Sequence, residues 1–81
     1  MKKIKICVVG LGYVGLPIAM ILSKKFDVVG FDINKIRIRE LKKNIDSTLE
    51  VGSNKLKSKS IKLTYDKNII KDCNFYIITV P

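Results

Sequence analysis

The sequence predicts an α/β fold built on a parallel sheet, and three observations predict it. A β-branched run, Lys5 to Val9, leads directly into Gly10, Gly12 and Gly15, which stand in the spacing G-x-G-x-x-G. An uncharged helical stretch follows the glycines. A second apolar run, Val28 to Phe31, then ends on Asp32, an acid about twenty residues beyond the first glycine. Strand, glycine turn, helix, strand and acid in that order form the opening unit of a Rossmann-type dinucleotide fold. The expected sheet has strand order 3-2-1-4, an incomplete version of the doubly wound architecture.

The first strand is read as Lys3 to Val9, central in the sheet because its apolar run at Ile6 to Val9 is unbroken. The glycines come next, each with a task. Gly10 permits a tight turn off the strand, Gly12 lets a pyrophosphate approach the backbone, and Gly15 lets the helix pack close to the sheet. The alternative is that they serve only the turn. The first helix is expected from about Tyr13 to Lys25, with Val14, Ile18, Ile21, Leu22 and Lys25 at helical spacing and the apolar side chains facing the sheet. Pro17 falls in or just past its first turn, where a missing N–H costs least. The amides at the helix start and the positive end of its dipole make a phosphate cradle.

Asp32 closes the second strand and selects the dinucleotide. A carboxylate accepts hydrogen bonds from both hydroxyls of an adenosine ribose and repels a 2′-phosphate, so NAD is expected over NADP. Asp32 or Asn34 also suits a helix cap, and both roles can hold together. Lys35, Arg37 and Arg39 follow closely, and a cation there is able to receive a 2′-phosphate.

The second helix is expected over Asn34 to Asn44, with Ile38, Leu41 and Ile45 on one face. Arg37, one turn in, is read either as a guanidinium beside the adenine or as a solvent-facing helix residue. Between Asp46 and Ser60 the pattern is weak, with Ser53 a candidate cap for a short helix reaching Lys59. Ile61 to Tyr65 is the third strand. Asp66 is a candidate cap for one or two turns across Asn68 to Lys71, with Ile69 and Ile70 inward. Asn74 to Val80 is the fourth strand, β-branched and aromatic enough to be buried on both faces. Its C-terminal end, Thr79, Val80 and Pro81, is expected to open onto the cofactor crevice.

Composition narrows the function classes. The 81 residues form one small unit, the N-terminal part of a dinucleotide-binding domain with fewer strands than such a domain normally has. Sixteen Lys and Arg against seven Asp and Glu give a formal charge of +9. The basic residues are scattered, without an aromatic-interleaved patch or a nucleic-acid motif, so a solvated Lys-rich surface is expected and no nucleic-acid partner. Cys7 and Cys73 are too far apart for a zinc signature and are read as structural, no metal site is expected, and the absence of histidine excludes a Cys-His nucleophile within the chain. A reducing cytoplasm fits. The apolar stretch Ile6 to Ser23 is explained by the phosphate turn and predicts no membrane anchor. The apolar edge of the fourth strand predicts a homo-oligomer, which a monodisperse monomer in light scattering would contradict.

These residues carry a further resemblance. GLGYVGLPIA, GFDINKIRI, the Leu-Glu-Val at Leu49 to Val51, and DCNFYIITVP are similar to the N-terminal NAD-binding domain of the UDP-glucose/GDP-mannose dehydrogenase family across essentially the whole chain. The branch most similar oxidises UDP-N-acetylhexosamines for surface polysaccharides. The resemblance implies oxidation of a nucleotide-sugar C6 hydroxymethyl to carboxylate, with two NAD reduced. It implies a catalytic cysteine, with Lys, Asn and Asp assisting, downstream of these residues. Neither Cys7 nor Cys73 matches that cysteine, so no catalytic residue is assigned here. Carried over are Gly10, Gly12, Tyr13, Val14 and Gly15 at the pyrophosphate, with Tyr13 and Val14 acting through backbone N–H groups. Asp32 falls at the ribose, Arg37 beside the adenine end, and Thr79, Val80 and Pro81 along the crevice. A non-catalytic NAD-sensing module, or an inactive fragment, is the alternative function.

Overall fold

A computed structural model describes residues 4–43 and 61–79. Four strands, β1 (Lys5–Val9), β2 (Asp27–Phe31), β3 (Ile61–Thr64) and β4 (Phe75–Ile78), form one sheet in the order β3-β2-β1-β4. All three pairings are parallel. The order and direction expected from the sequence are those observed. Helix α1 (Gly15–Leu22) connects β1 to β2, α2 (Lys35–Lys42) follows β2, and a single 3₁₀ turn at Ile69–Asp72 precedes β4. The short helix expected between Ser53 and Lys59 lies outside the described residues, as do Ile45, Leu49 to Val51, Val80 and Pro81.

The two faces of the sheet are filled differently because strand side chains alternate. Ile6 and Val8 of β1, Val28 of β2, and Ile61 and Leu63 of β3 point to one face, where Leu16 and Ala19 of α1 and Ile38 and Leu41 of α2 cover them. Both helices therefore lie on the same side. On the other face Cys7, Val29 and Phe31 form a smaller cluster with Cys73, joined by Val9 and Ile70. The continuous burial of Ile6, Cys7 and Val8 places β1 at the centre.

Helix α1 departs from the sequence-based expectation in length and in facing. It spans Gly15–Leu22, and its buried residues are Gly15, Leu16 and Ala19. Val14 and Ile21, expected against the sheet, are 56% and 65% exposed. The reason is that GLPIAMIL is apolar nearly all round, so periodicity cannot choose a face. Contact of Gly15 with Gly10 chooses it instead, and fixes the helix phase at positions 15, 16 and 19. Helix α2 has a clearer stripe. Asn34 caps it, its side-chain oxygen accepting from the Arg37 N–H at 3.1 Å, and Ile38 and Leu41 are buried as expected. The Lys35 ammonium at its start lies 5.4 Å from the centre of the Tyr65 ring, tying α2 to the end of β3.

Strand β4 is a second correction. It was expected to be covered on both faces, yet Phe75, Tyr76 and Ile78 are exposed. It lies at one edge of the described sheet, paired only with β1 among the described residues; Ile77 packs against the main core, and the 3₁₀ turn leans on the opposite face. Its start is fixed by Asn74, whose N–H donates to the Lys5 carbonyl at 2.8 Å while its side-chain oxygen accepts from the Lys5 N–H at 3.0 Å. The Tyr76 hydroxyl donates to the Ile70 carbonyl at 2.6 Å and holds the 3₁₀ turn down.

Cys7 and Cys73 are both buried thiols, as the sequence reading expected, but the fold makes them neighbours. Burial first, and then the neighbouring Cys73, push the Cys7 thiol up to about 12. A folded chain that keeps this proton while the unfolded chain loses it is most stable below the ordinary thiol range. Stability should then fall as pH rises from about 9 towards about 12. Urea midpoints measured across this window should drop more steeply in the wild type than in Cys7→Ala, and parallel curves would refute the assignment.

Candidate cofactor site

At the C-terminal ends of β1 and β2 a cleft of about 600 Å³ opens, lined by Gly10, Leu11, Gly12, Tyr13, Val14, Asp32, Ile33 and Thr79. The volume is that of a small-molecule site. Its floor is built by ladder bonds that continue past the strands. Gly10 N–H donates to the Phe31 carbonyl at 2.8 Å, Asp32 N–H to the Thr64 carbonyl at 3.2 Å, and Thr79 N–H to the Val9 carbonyl at 2.9 Å. Three chain segments thus leave the sheet side by side at one rim.

The glycine loop turns on Gly10, whose φ of +95° is open to glycine and strained for other residues. A Cβ there would also come within 2.7 Å of Thr79. The Thr79 hydroxyl is 2.9 Å from the Gly10 carbonyl oxygen and 3.2 Å from that of Val9, and donates to this pair. Gly12 differs. A Cβ built on it meets nothing within 4 Å among the described residues, so its space faces the cleft. Helix α1 begins just beyond, with Val14 as a cap that makes no side-chain hydrogen bond and no acid in the first turn. That leaves the positive end of the helix open towards an anion.

Asp32 reaches across to the loop. Its Oδ2 accepts from the Leu11 N–H at 3.0 Å, and its Oδ1 accepts from the Asn34 N–H at 2.9 Å. The carboxylate, half-buried at the cleft wall, keeps further lone pairs for a ligand. Of the two candidates Asn34 takes the cap of α2, while Asp32 bonds the Asn34 N–H ahead of it and lines the cleft.

Arg37 is not the solvent-facing helix residue of one sequence reading. It is 7% exposed, and its Nε donates to the Leu11 carbonyl at 2.8 Å. It therefore lies beneath the loop, because Asn34 caps α2 in a phase that turns position 37 inward with Ile38 and Leu41. Tyr13 and Val14 line the cleft with exposed side chains. Val80 and Pro81 lie outside the described residues. Two cleft residues escaped the sequence reading. Leu11 occupies an x of the glycine motif, and Ile33, 76% exposed beside Asp32, reads in sequence as an ordinary loop residue. An apolar side chain directly after a strand-ending acid is the signal that would have found Ile33.

Comparison with known proteins agrees with this geometry. Residues 4–81 match the NAD binding domain of the UDP-glucose/GDP-mannose dehydrogenase family. The chain is 54% identical over 82 residues to a UDP-N-acetyl-D-glucosamine 6-dehydrogenase of Pseudomonas aeruginosa, covering 100% of this chain and 19% of that protein. It is 54% identical over 76 residues to Protein CapL of Staphylococcus aureus, covering 94% and 18%. Among solved structures, a UDP-D-ManNAc dehydrogenase from Pyrococcus horikoshii superposes with a TM-score of 0.88 at 32% identity, covering 95% of this chain and 20% of that one. The chain thus spans about a fifth of the length of these relatives. With a parallel 3-2-1-4 sheet, a glycine loop at the rim of β1 and an acid at the end of β2, the chain belongs to the UDP-glucose/GDP-mannose dehydrogenase family, within its NAD-binding domain.

Proposed function

We propose that this chain binds the adenosine and pyrophosphate portion of NAD in a nucleotide-sugar 6-dehydrogenase that converts the C6 hydroxymethyl of a UDP-N-acetylhexosamine to a carboxylate. The observation that carries the cofactor reading is the joint placement of Asp32 and the loop Gly10 to Val14 on one cleft, with the Leu11 N–H bonded to Asp32. When bound, NAD supplies the hydride acceptor for each oxidation step. The substrate assignment is supported by the printed activities of the relatives.

The residues of this chain act by binding and orientation. The Gly12 backbone and the start of α1 receive the pyrophosphate, where the open side of Gly12 admits a phosphate oxygen. Tyr13 and Val14 contribute backbone N–H groups, and Thr79 fixes the Gly10 turn from below. Asp32 accepts the ribose hydroxyls and disfavours a 2′-phosphate. Ile33 offers an apolar surface to the adenine. Val80 and Pro81, outside the described residues, complete this proposal as further cofactor-binding positions. The exposed apolar side chains Phe75, Tyr76 and Ile78 of β4 call for a cover, from further residues of a longer chain or from a second copy in a homo-oligomer. Among the described residues no helix is long and apolar enough to cross a membrane, and the two free thiols are consistent with a cytoplasmic setting.

Calorimetric titration of the full-length protein with NAD and NADP, followed by steady-state assay against UDP-N-acetylglucosamine, UDP-N-acetylmannosamine and UDP-glucose, tests the proposal. Saturable binding preferring NAD, with turnover of an N-acetylated sugar, is expected. Preference for NADP would overturn the Asp32 assignment, and turnover of UDP-glucose alone would overturn the substrate.

A further inference from the structure

Leu11 is held from three directions. Its side chain is fully buried and lies over Gly30, where a Cβ would come within 3.1 Å of it. Its N–H is bonded to Asp32 Oδ2 at 3.0 Å, and its carbonyl accepts from Arg37 Nε at 2.8 Å. The bonds close a circuit, because Asn34 caps the Arg37 N–H at 3.1 Å and donates its own N–H to Asp32 Oδ1 at 2.9 Å. Ribose acid, loop and helix cap are one bonded unit.

A trans peptide is planar, with its C=O and N–H pointing in opposite directions. No peptide bond among the described residues is cis. Fixing the Leu11 carbonyl towards Arg37 therefore aims the Gly12 N–H the opposite way, and Gly12 lines the cleft. The preceding peptide is fixed in the same manner, with the Leu11 N–H on Asp32 and the Gly10 carbonyl on the Thr79 hydroxyl. Two consecutive peptide planes are set before any anion arrives, so little ordering cost remains at binding.

We propose that Arg37 is a positioning residue for the pyrophosphate: it acts from beneath the loop, through the Leu11 carbonyl, to aim the Gly12 N–H, and it does not contact the adenine or receive a 2′-phosphate. The inference rests on the NAD reading of the cleft. It also explains how a cation five residues after Asp32 coexists with selection against NADP. The guanidinium is buried and its Nε committed to the loop, out of reach of a 2′-phosphate at the ribose.

The test uses the full-length protein with Arg37→Met, which keeps the buried stem, and Arg37→Lys, which keeps the charge without the planar fork. NAD affinity should fall about tenfold in Arg37→Met, the effect of losing one charge-assisted bond. Adenosine, which lacks the pyrophosphate, should lose less than about twofold, the range of an indirect effect. Arg37→Lys should stay weakened. Equal losses for adenosine and NAD would instead place Arg37 on the adenine, and full rescue by Lys would reduce its role to charge; either overturns the proposal. Amide exchange without ligand gives an independent reading. Leu11, whose N–H is bonded to Asp32, should exchange faster in Arg37→Met while the β1 amides stay protected, and an unchanged Leu11 refutes the brace. In the wild type the Arg37 Nε–H should itself exchange slowly by NMR, and fast exchange there refutes it even if both variants unfold. Failure of the wild type to bind NAD would sink the cofactor reading, whereas these exchange measurements would still judge the brace.

Discussion

Gly15→Ala is expected to unfold the chain or lower its melting temperature by at least about 12 °C, the shift that a loss of about 3 kcal/mol produces in a domain of this size. A Cβ at Gly15 would run into the carbonyl oxygen of Gly10 and lie 2.8 Å from the Thr79 hydroxyl. Neither neighbour can yield cheaply. The Gly10 carbonyl belongs to the turn itself, and Thr79 is fixed in the ladder beside β1. Helix α1 would have to lift off the sheet, uncovering Leu16 and Ala19, which are fully buried in the main core. Overpacking costs about 1–3 kcal/mol where side chains can shift, and more where backbone is the obstacle. The helix propensity gained on replacing Gly by Ala, about 1 kcal/mol at most, does not offset this. Gly12→Ala is the matched control. With no protein atom within 4 Å of its Cβ among the described residues, it should melt within about 2 °C of the wild type, as a substitution without packing cost does. It should nonetheless lose NAD binding, because the methyl occupies the side from which the pyrophosphate approaches. A Gly15→Ala protein with an unchanged melting temperature would show that α1 does not depend on this contact.

Asp32→Ala should weaken NAD about a hundredfold, as expected for losing two hydrogen bonds to a charged acceptor at about 1.5 kcal/mol each. NADP should lose much less than NAD, since the same substitution removes a negative charge from beside the 2′-phosphate and so offsets the loosening of the loop. The ratio of the two affinities by calorimetry is therefore the sharpest measurement. Loss of NAD binding of less than about threefold would remove the carboxylate from the ribose site. Asp32→Asn is not a mild alternative here. Both carboxylate oxygens already accept backbone N–H groups, from Leu11 and Asn34, so an amide must turn its NH₂ towards one of these donors. The loop or the start of α2 would lose its bond, and the Asn variant should also bind NAD poorly, for this second reason.

Much of this architecture was legible in the residues themselves. The unbroken run at Ile6 to Val9 marked the central strand, and the parallel order 3-2-1-4 followed from strands alternating with helices. Asn34 announced the start of α2, and Ile38 and Leu41 its buried face. The glycines and Asp32 were recognisable because their spacing is local and each residue type suits a single backbone or charge requirement. These are short-range properties, carried by propensity, period and chirality, and the chain states them without needing its fold.

What only the tertiary structure decided lies wherever distant segments meet. The facing of α1 was set by Gly15 against Gly10, since an almost wholly apolar helix carries no phase information of its own. The exposure of β4 follows from neither helix packing closely over it among the described residues, which its β-branched sequence does not encode. Cys7 and Cys73 became neighbours, and Thr79 came beneath Gly10, only because β4 pairs with β1 in one register. Arg37, which spacing alone left either beside the adenine or facing solvent, was turned inward by the cap at Asn34, onto a carbonyl 26 positions away. Spacing along the chain can place a charge near a site. Whether that charge faces the ligand or the scaffold is fixed by hydrogen bonds between segments far apart in sequence, and these exist only once the sheet has assembled.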